Sequence, residues 1–166
     1  MKRSDRGWTT LRGGRPVRKD HPRLAVCGDL DEACACVGAA LAALPRRSSV
    51  RDILKAAQQA LMFSCGVAAQ PGAISRRERA RLAEKTRDLE KRMARLSAKL
   101  KPAGGFVMPG ATQAGAWLHV ARTVCRRAER AVVSARLDPA LGSFLNRLSS
   151  ALFLAARWAD EGGVRP

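Results

Sequence analysis

The sequence predicts an all-α fold, a bundle of five helices preceded by an irregular, basic N-terminal segment. Three observations predict it. Apolar residues make up 46% of the chain and aromatics only 4%, with no Tyr; alanine and leucine dominate, and both favour helix over strand. Apolar positions recur at helical spacing, most plainly at Leu82, Leu89, Met93, Leu96 and Leu100. Capping residues and prolines divide the chain into segments of helical length. A length of 166 residues suits one core. Residues 1–166 are therefore expected to form a single domain, with a loop over 1–28 and helices over 29–161.

Residues 1–27 show no helical period and contain Gly7, Gly13, Gly14, Pro16 and Pro22, which predicts an extended basic loop. A first helix is expected to begin at Asp29, an N-cap with Glu32 at capping-box spacing, and to stop at Pro45. The second follows Ser49 and runs to about Gln70, before Pro71. Ser75 and Glu78 form another capping box, and the helix behind them ends before Pro102. After the loop PAGGFVMPGA, Thr112 caps a long helix to about Leu137. Asp138 caps the last helix, with Pro139 at the favoured first position, and Gly162 ends it after Glu161.

The net charge is +17, from 31 Lys and Arg against 14 Asp and Glu. Such an excess attracts polyanions, whether nucleic acid, acidic membrane surfaces or multiply charged phosphates. No run of 18 apolar residues offers a membrane span. The opening MKRSDRGWTTLRGG has no apolar core of a secretory signal. With five cysteines, an odd count, this predicts reduced thiols and a cytoplasmic location. There is no C-x-x-C spacing and there are only two histidines, so a zinc or iron–sulfur site is not expected.

The stretch ARTVCRRAER, residues 121–130, places four arginines and a glutamate inside a core-forming helix. With Arg122 at the origin of a helical wheel, Arg126 falls at about 40°, Glu129 at about −20°, Arg130 at about 80° and Arg127 at about 140°. Trp117, Ala121, Val124, Ala128, Ala131, Val132 and Ala135 cluster on the opposite side. Pattern alone leaves three readings open: a solvated flank, a nucleic-acid patch, or a cradle for a phosphorylated small molecule. Arginine is the residue suited to planar, bidentate contact with phosphate oxygens, and a glutamate among arginines can hold a guanidinium in orientation.

The runs FVMPGATQAGAWLHVARTVCRRAER and FLNRLSSALFLAARWAD resemble the ATP:cob(I)alamin adenosyltransferases of the trimeric, propanediol-utilisation type. The family pattern is Phe, two apolar residues and Pro-Gly, then Leu-His-x-Ala-Arg, Arg-Arg-Ala-Glu-Arg and Asn-Arg-Leu-Ser. Upstream, RKDHPRLAVCGDLDE resembles the family's Lys-Asp-Asp-Pro-Arg segment and helix start, and SDRGWTT resembles its nucleotide loop. ILKAAQQALMFSCGVAA fits its Gln-x-x-Leu-Phe-x-x-Gly helix loosely. The resemblance covers nearly the whole chain. It implies a ferritin-like five-helix bundle that assembles as a homotrimer with sites at subunit interfaces. The implied reaction moves the 5′-deoxyadenosyl group of ATP, with Mg²⁺, to a cob(I)alamin or related corrinoid and releases triphosphate. A corrinoid-delivering or reductase partner is also implied.

Roles carry over by matching position. Ser4, Asp5, Thr9 and Thr10 match the nucleotide loop, and Lys19 a phosphate-contacting lysine. Arg126, Arg127, Glu129 and Arg130 match the nucleotide-binding stretch, and Asn146 a nucleotide-contacting asparagine. Asp31 and Arg122 match an ion pair that organises the interface near the corrinoid, and Phe106 the aromatic on the corrinoid's lower face. The chemistry fits: Co(I) is itself the nucleophile, so no general base is needed, while Arg, Lys and Mg²⁺ stabilise the charge growing on triphosphate.

The chain departs from the pattern in places. Thr-x-Thr-Gly reads Met1-Lys2-Arg3-Ser4, the common Tyr is Cys27, Glu-Leu-Asn reads Glu32-Ala33-Cys34, and the Asp after Asn-Arg-Leu-Ser is Ser150. Two alternatives therefore stand beside the enzyme: a weakened paralogue that binds ATP or corrinoid without turnover, and, more remotely, a basic nucleic-acid-binding helical protein. The bundle offers that last reading no recognition-helix motif and few aromatics for stacking. His119 reads as a packed residue rather than a ligand, and Trp8, Trp117 and Trp158 as core or interface. Arg76, Arg77, Arg79, Arg81 and Arg92 read as a solvated face.

Overall fold

The first helix, α1 (Pro22–Ala43), begins seven residues earlier than the capping-box spacing predicts. His21 is the N-cap: its Nδ1 accepts the Arg23 N–H at 3.2 Å, and Pro22 at the first position costs no hydrogen bond. Val26, fully buried like Leu30, extends the core stripe upstream of Asp29. Asp29 and Glu32 therefore lie inside the helix, where their carboxylates are free to meet another element. The computed structural model describes residues 3–102 and 105–162, with only the backbone of Arg3 and Ser4.

The remaining helices are α2 (Arg51–Ala68), α3 (Arg76–Ser97), α4 (Gln113–Ser134) and α5 (Pro139–Asp160). The Ser75 capping box forms reciprocally: Ser75 Oγ accepts from Glu78 N–H at 3.2 Å, and Ser75 N–H donates to Glu78 Oε2 at 2.9 Å. Thr112 and Asp138 cap α4 and α5 as their positions predict, each worth about 1 kcal/mol. The start of α2 differs: Val50 is the cap residue and makes no side-chain bond. Arg51 instead donates to the carbonyls of Leu41 and Leu44 at 2.7 and 3.0 Å, closing the end of α1.

The principal packings join α2 to α1, α1 to α4, α4 to α5 and α5 to α3, and lighter contact between α2 and α3 closes the bundle. Small residues at the central contacts, Ala33, Ala40, Ala121, Ala128, Ala155 and Ala156, are fully buried and let the helices approach closely. On α3, Leu82, Leu89 and Leu96 are buried, while most of the surrounding arginines and lysines are exposed. Trp117 departs from the expected core stripe of α4: it is 39% exposed.

Upstream of α1, the basic segment is more ordered than a loop. A 3-10 turn (Arg3–Arg6) leads into a hairpin of β1 (Trp8–Thr10) and β2 (Pro16–Arg18), paired antiparallel with Thr9 opposite Val17. Leu11 and Val17 are buried beneath it. Arg12 fastens it to the end of α2, its N–H donating to Ala69 O at 3.1 Å and its Nη1 to Gly66 O at 3.4 Å. Arg23 binds the next turn, donating to Ala68 O at 3.0 Å and Gly72 O at 2.9 Å.

Candidate active site

Helix α4 presents three distinct faces. Ala121, Val124, Cys125, Ala128 and Val132 are buried in the core. Arg126 and Arg130 are exposed, and neither is held by an ion pair or hydrogen bond among the described residues. Arg127, turned a further 60° or so round the helix, lies against α1. Its Nε binds Asp29 Oδ1 at 2.8 Å and its Nη2 pairs with Glu32. These two carboxylates hold the guanidinium and raise its pKa, the Asp29 hydrogen bond being the leading cause. The structure thus keeps Arg126 and Arg130 together and directs Arg127 elsewhere, because one residue of helical rotation puts its side chain over α1.

Asn146, on α5, is exposed. Counted along the two helices from the tight turn at Ala135–Asp138, Asn146 and Arg126 both lie about 10–12 Å from that turn. The asparagine and Arg126 therefore sit at the same level of the α4–α5 hairpin, with Arg130 about one helical turn nearer the connection. Its carbonyl accepts from Ser149 Oγ at 2.9 Å and Ser150 Oγ at 3.2 Å. Glu129, half-buried, makes no ion pair with Arg126 among the described residues.

The N-terminal group of predicted residues stands apart. Thr9 is half-buried on β1, while Thr10, Lys19 and Asp5 are exposed. Lys19 is placed by its backbone, whose N–H donates to Gly7 O at 2.8 Å. Ser4 has a described backbone, but its side chain lies outside the described residues, as do Met1 and Lys2. Neither hairpin strand contacts α4 or α5. Within one chain, Thr9, Thr10 and Lys19 do not meet Arg126, Arg130 and Asn146.

Asp31 and Arg122 are likewise separate. Asp31 is exposed on α1, close enough to Cys34 to add to burial in raising its thiol pKa, and to oppose the lowering that the Cys27 hydrogen bond causes at Cys65. Arg122 is half-buried on α4 with its Nε unpartnered. It faces His119, which is buried with both ring nitrogens unpartnered and its Nε2 4.0 Å from Asp160 Oδ2. Burial, then the Arg122 charge, lowers the His119 pKa, and Asp160 opposes them.

Phe106 is wholly exposed, with a relative accessibility of 108%. Met108, Trp117 and Val120, on the same approach to α4, also expose apolar surface. The segment bearing Phe106 is fastened at both sides to the last turn of α5. Arg157 Nη2 donates to Lys101 O at 2.6 Å. Asp160 Oδ1 accepts from Thr112 N–H at 2.9 Å and from Thr112 Oγ1 at 2.8 Å. Thr112 Oγ1 in turn accepts the Gly115 N–H at 2.9 Å. Sequence reading singled out neither Arg157 nor Asp160. The available signals were an arginine inside the apolar run of α5 and a glycine in the first turn of α4, where a helix is weakened.

A sequence profile for cobalamin adenosyltransferases matches residues 1–159. The corrinoid adenosyltransferase PduO of Salmonella typhimurium is 35% identical over 168 residues, covering 95% of this chain and 48% of that protein. The chain thus spans about half the length of that relative (48%). The corrinoid adenosyltransferase of Bacillus subtilis is 35% identical over 164 residues, covering 94% of this chain and 83% of that one. Among solved structures, a variant of the PduO-type ATP:corrinoid adenosyltransferase from Lactobacillus reuteri, complexed with cobalamin and ATP, is similar with a TM-score of 0.86 and 28% identity. That likeness covers 100% of this chain and 95% of the other. By its sequence along nearly its whole length and by its fold, this chain belongs to the cobalamin adenosyltransferase family.

Proposed function

We propose that this protein transfers the 5′-deoxyadenosyl group of ATP to the cobalt of a reduced corrinoid and releases triphosphate. The observation that carries this reading is the pair of exposed arginines, Arg126 and Arg130, unpartnered among the described residues, the first level with Asn146 on the α4–α5 hairpin and the second about one turn nearer the connection. Two guanidiniums free of carboxylates are set to take the oxygens of a triphosphate bidentately, and the Asn146 amide can hydrogen-bond the nucleotide. Thr9, Thr10 and Lys19 of the hairpin, with Asp5 and Ser4, complete the nucleotide site. Since the hairpin does not reach α4 in its own chain, the two halves come together across a subunit interface in a homotrimer. Asp31 of one chain then faces Arg122 of the next, giving the exposed carboxylate and the half-buried guanidinium a partner.

The step forms a Co–C5′ bond and breaks the C5′–O bond, and the bonding pair leaves with triphosphate. Arg126, Arg130 and Lys19 hold the leaving oxygens as their charge grows. Among the described residues no cluster of three His, Cys, Asp or Glu side chains is placed to hold a metal. Mg²⁺ is read as entering with ATP, where it would screen the phosphate charge. Phe106 lies upstream of α4, and Arg126 sits about 20 Å further along that helix. This path suits two large substrates lying side by side, with Phe106 and its apolar neighbours excluding water from the corrinoid's lower face. No helix among the described residues is long and apolar enough to cross a membrane; the reading places the enzyme in the cytoplasm, served by a corrinoid-delivering or reducing partner.

The test is an anaerobic assay with chemically reduced cobalamin, ATP and Mg²⁺, following both adenosylcobalamin and triphosphate. Stoichiometric formation of the two is expected. Binding of ATP and corrinoid without either product would assign the chain to the non-catalytic alternative. R126A is expected to abolish turnover while helicity is retained, and near wild-type activity in that variant would remove the phosphate-cradle role.

A further inference from the structure

We propose that Arg157 and Asp160 are positioning residues that hold the Phe106 segment in place for the reaction by gripping it on both sides. The proposal rests on the reading of Phe106 as the residue against the corrinoid. The two side chains are three residues apart, so they project from one face of the last turn of α5. Arg157, only 8% exposed, reaches Lys101 O at 2.6 Å on the upstream side, and its guanidinium also pairs with Glu161 at 2.6 Å. Asp160 takes both Thr112 donors on the downstream side. Phe106 itself makes no packing contact that could position it, being wholly exposed. Its placement must come from the ends of its segment.

The fit around Asp160 is specific. A Cβ on Gly115 would lie 1.9 Å from Asp160 Oδ1, so the missing side chain opens the slot in which the carboxylate sits. Thr112 spends its hydroxyl proton on Asp160 and its lone pair on Gly115 N–H, so the carboxylate orients the cap as well as the loop. A residue needed only to cap α4 would not require this arrangement, since Thr112 alone supplies the cap bond. Nor does helix stability explain Arg157: burying a guanidinium costs free energy unless its bonds are made, and here one goes to the loop carbonyl.

Three variants test the idea in the full-length protein: D160A, its conservative counterpart D160N, and R157K. In ligand-free protein, D160A should speed amide hydrogen exchange over residues 105–112 by about tenfold or more, with peptides from α1 and α2 unchanged. In the assay, kcat/KM for cobalamin should fall about tenfold while KM for ATP stays within about twofold. The electron paramagnetic resonance signal of four-coordinate cob(II)alamin, formed with ATP bound, should shrink in parallel. D160N keeps an oxygen acceptor and should recover most of each effect, and R157K should resemble D160A in exchange and kinetics. Unchanged exchange in D160A, or an equal rise in both KM values, would overturn the proposal. F106A separates the two ideas: if it leaves the cobalt signal and kinetics untouched, the Phe106 reading is wrong and the functional half of this proposal goes with it. If F106A reproduces the loss and D160A does not, the clamp alone is wrong.

Discussion

Replacing Gly115 by alanine should destabilise the protein, against the usual effect of that change in a helix. In an exposed helix Gly→Ala stabilises by about 0.5–1 kcal/mol. Here the added Cβ would stand 1.9 Å from Asp160 Oδ1, 2.4 Å from Cγ and 2.7 Å from Oδ2. Restoring ordinary contact requires the carboxylate to withdraw by about 1.5 Å. From starting distances of 2.9 and 2.8 Å, that movement takes both Thr112 bonds beyond hydrogen-bond range. Bonds to a charged acceptor contribute about 1.5–3 kcal/mol each, and the two share one oxygen, so they are not fully additive. The Asp160 side chain is only 8% exposed, which leaves little water to replace them. Set against the helix gain, the net loss is about 2–3 kcal/mol.

Denaturant titration followed by circular dichroism measures this directly, and thermal unfolding should show Tm lower by roughly 5–10 °C. The companion D160A background removes the obstacle. There, G115A should recover its ordinary helix gain and be neutral or stabilising. G115A as stable as wild type would refute the reasoning. So would an equal cost of G115A in both backgrounds, since Asp160 would then not be what the methyl group meets.

Four further outcomes follow from the same geometry. R130A and N146A should each raise KM for ATP about tenfold, from the loss of a charge-assisted or amide bond to the nucleotide, with a smaller effect on KM for corrinoid; steady-state kinetics with each substrate varied checks this. R127A should leave the denaturant midpoint nearly unchanged, because its pairs with Asp29 and Glu32 are solvent-exposed on the Arg127 and Glu32 sides. His119, with its pKa lowered in the folded state, binds fewer protons there than when unfolded, so its stabilising share is complete above its ordinary pKa of about 6.5 and is lost as pH falls below it; urea midpoints from neutral to mildly acidic pH should fall more steeply for wild type than for H119Q. Cys65, whose pKa the Cys27 hydrogen bond lowers to about 7, should be alkylated first by limiting iodoacetamide near neutral pH, while Cys125, buried and pushed up to about 12, should react only on unfolding; peptide mass spectrometry reads the order.

The parts of the fold legible in the sequence are those set by local chemistry. Ser75 with Glu78, Thr112, and Asp138 with Pro139 each satisfy backbone groups within three residues, so their positions announce three helix starts. Asp29 and Glu32 have the same spacing, but their carboxylates are engaged by Arg127, 98 and 95 residues away, and no local rule contains that partner. The hairpin was illegible for a related reason. Its strands are three residues each, too short to show alternation, and Arg12 holds it to carbonyls at the end of α2. The wheel did separate Arg126 and Arg130 from Arg127, because rotation about a helix is local information. Arg157 and Asp160 were invisible because their significance lies in the loop they reach.

An unpaired arginine is not by itself informative in a chain of net charge +17. Many exposed cations on α3 have no carboxylate to meet, simply because acidic residues are outnumbered. What distinguishes Arg126 and Arg130 is the contrast with their neighbour. Helix α1 brings two carboxylates to α4, and both are taken by Arg127, leaving the adjacent face free of those two. Were Asp29 and Glu32 rotated toward Arg126, they would compete with a triphosphate for the same guanidinium and weaken its binding. Arg127 thus binds the acidic pair on one side of the helix, and the face proposed for the nucleotide is spared those two carboxylates. By this argument D29N/E32Q, which frees Arg127, should leave ATP affinity unchanged or raise it, whereas moving a carboxylate to the free face, as in T123E, should lower it. A loss of ATP affinity in D29N/E32Q at preserved stability would mean that Arg127 acts on the nucleotide through that pair, and the division of the two faces would have to be abandoned.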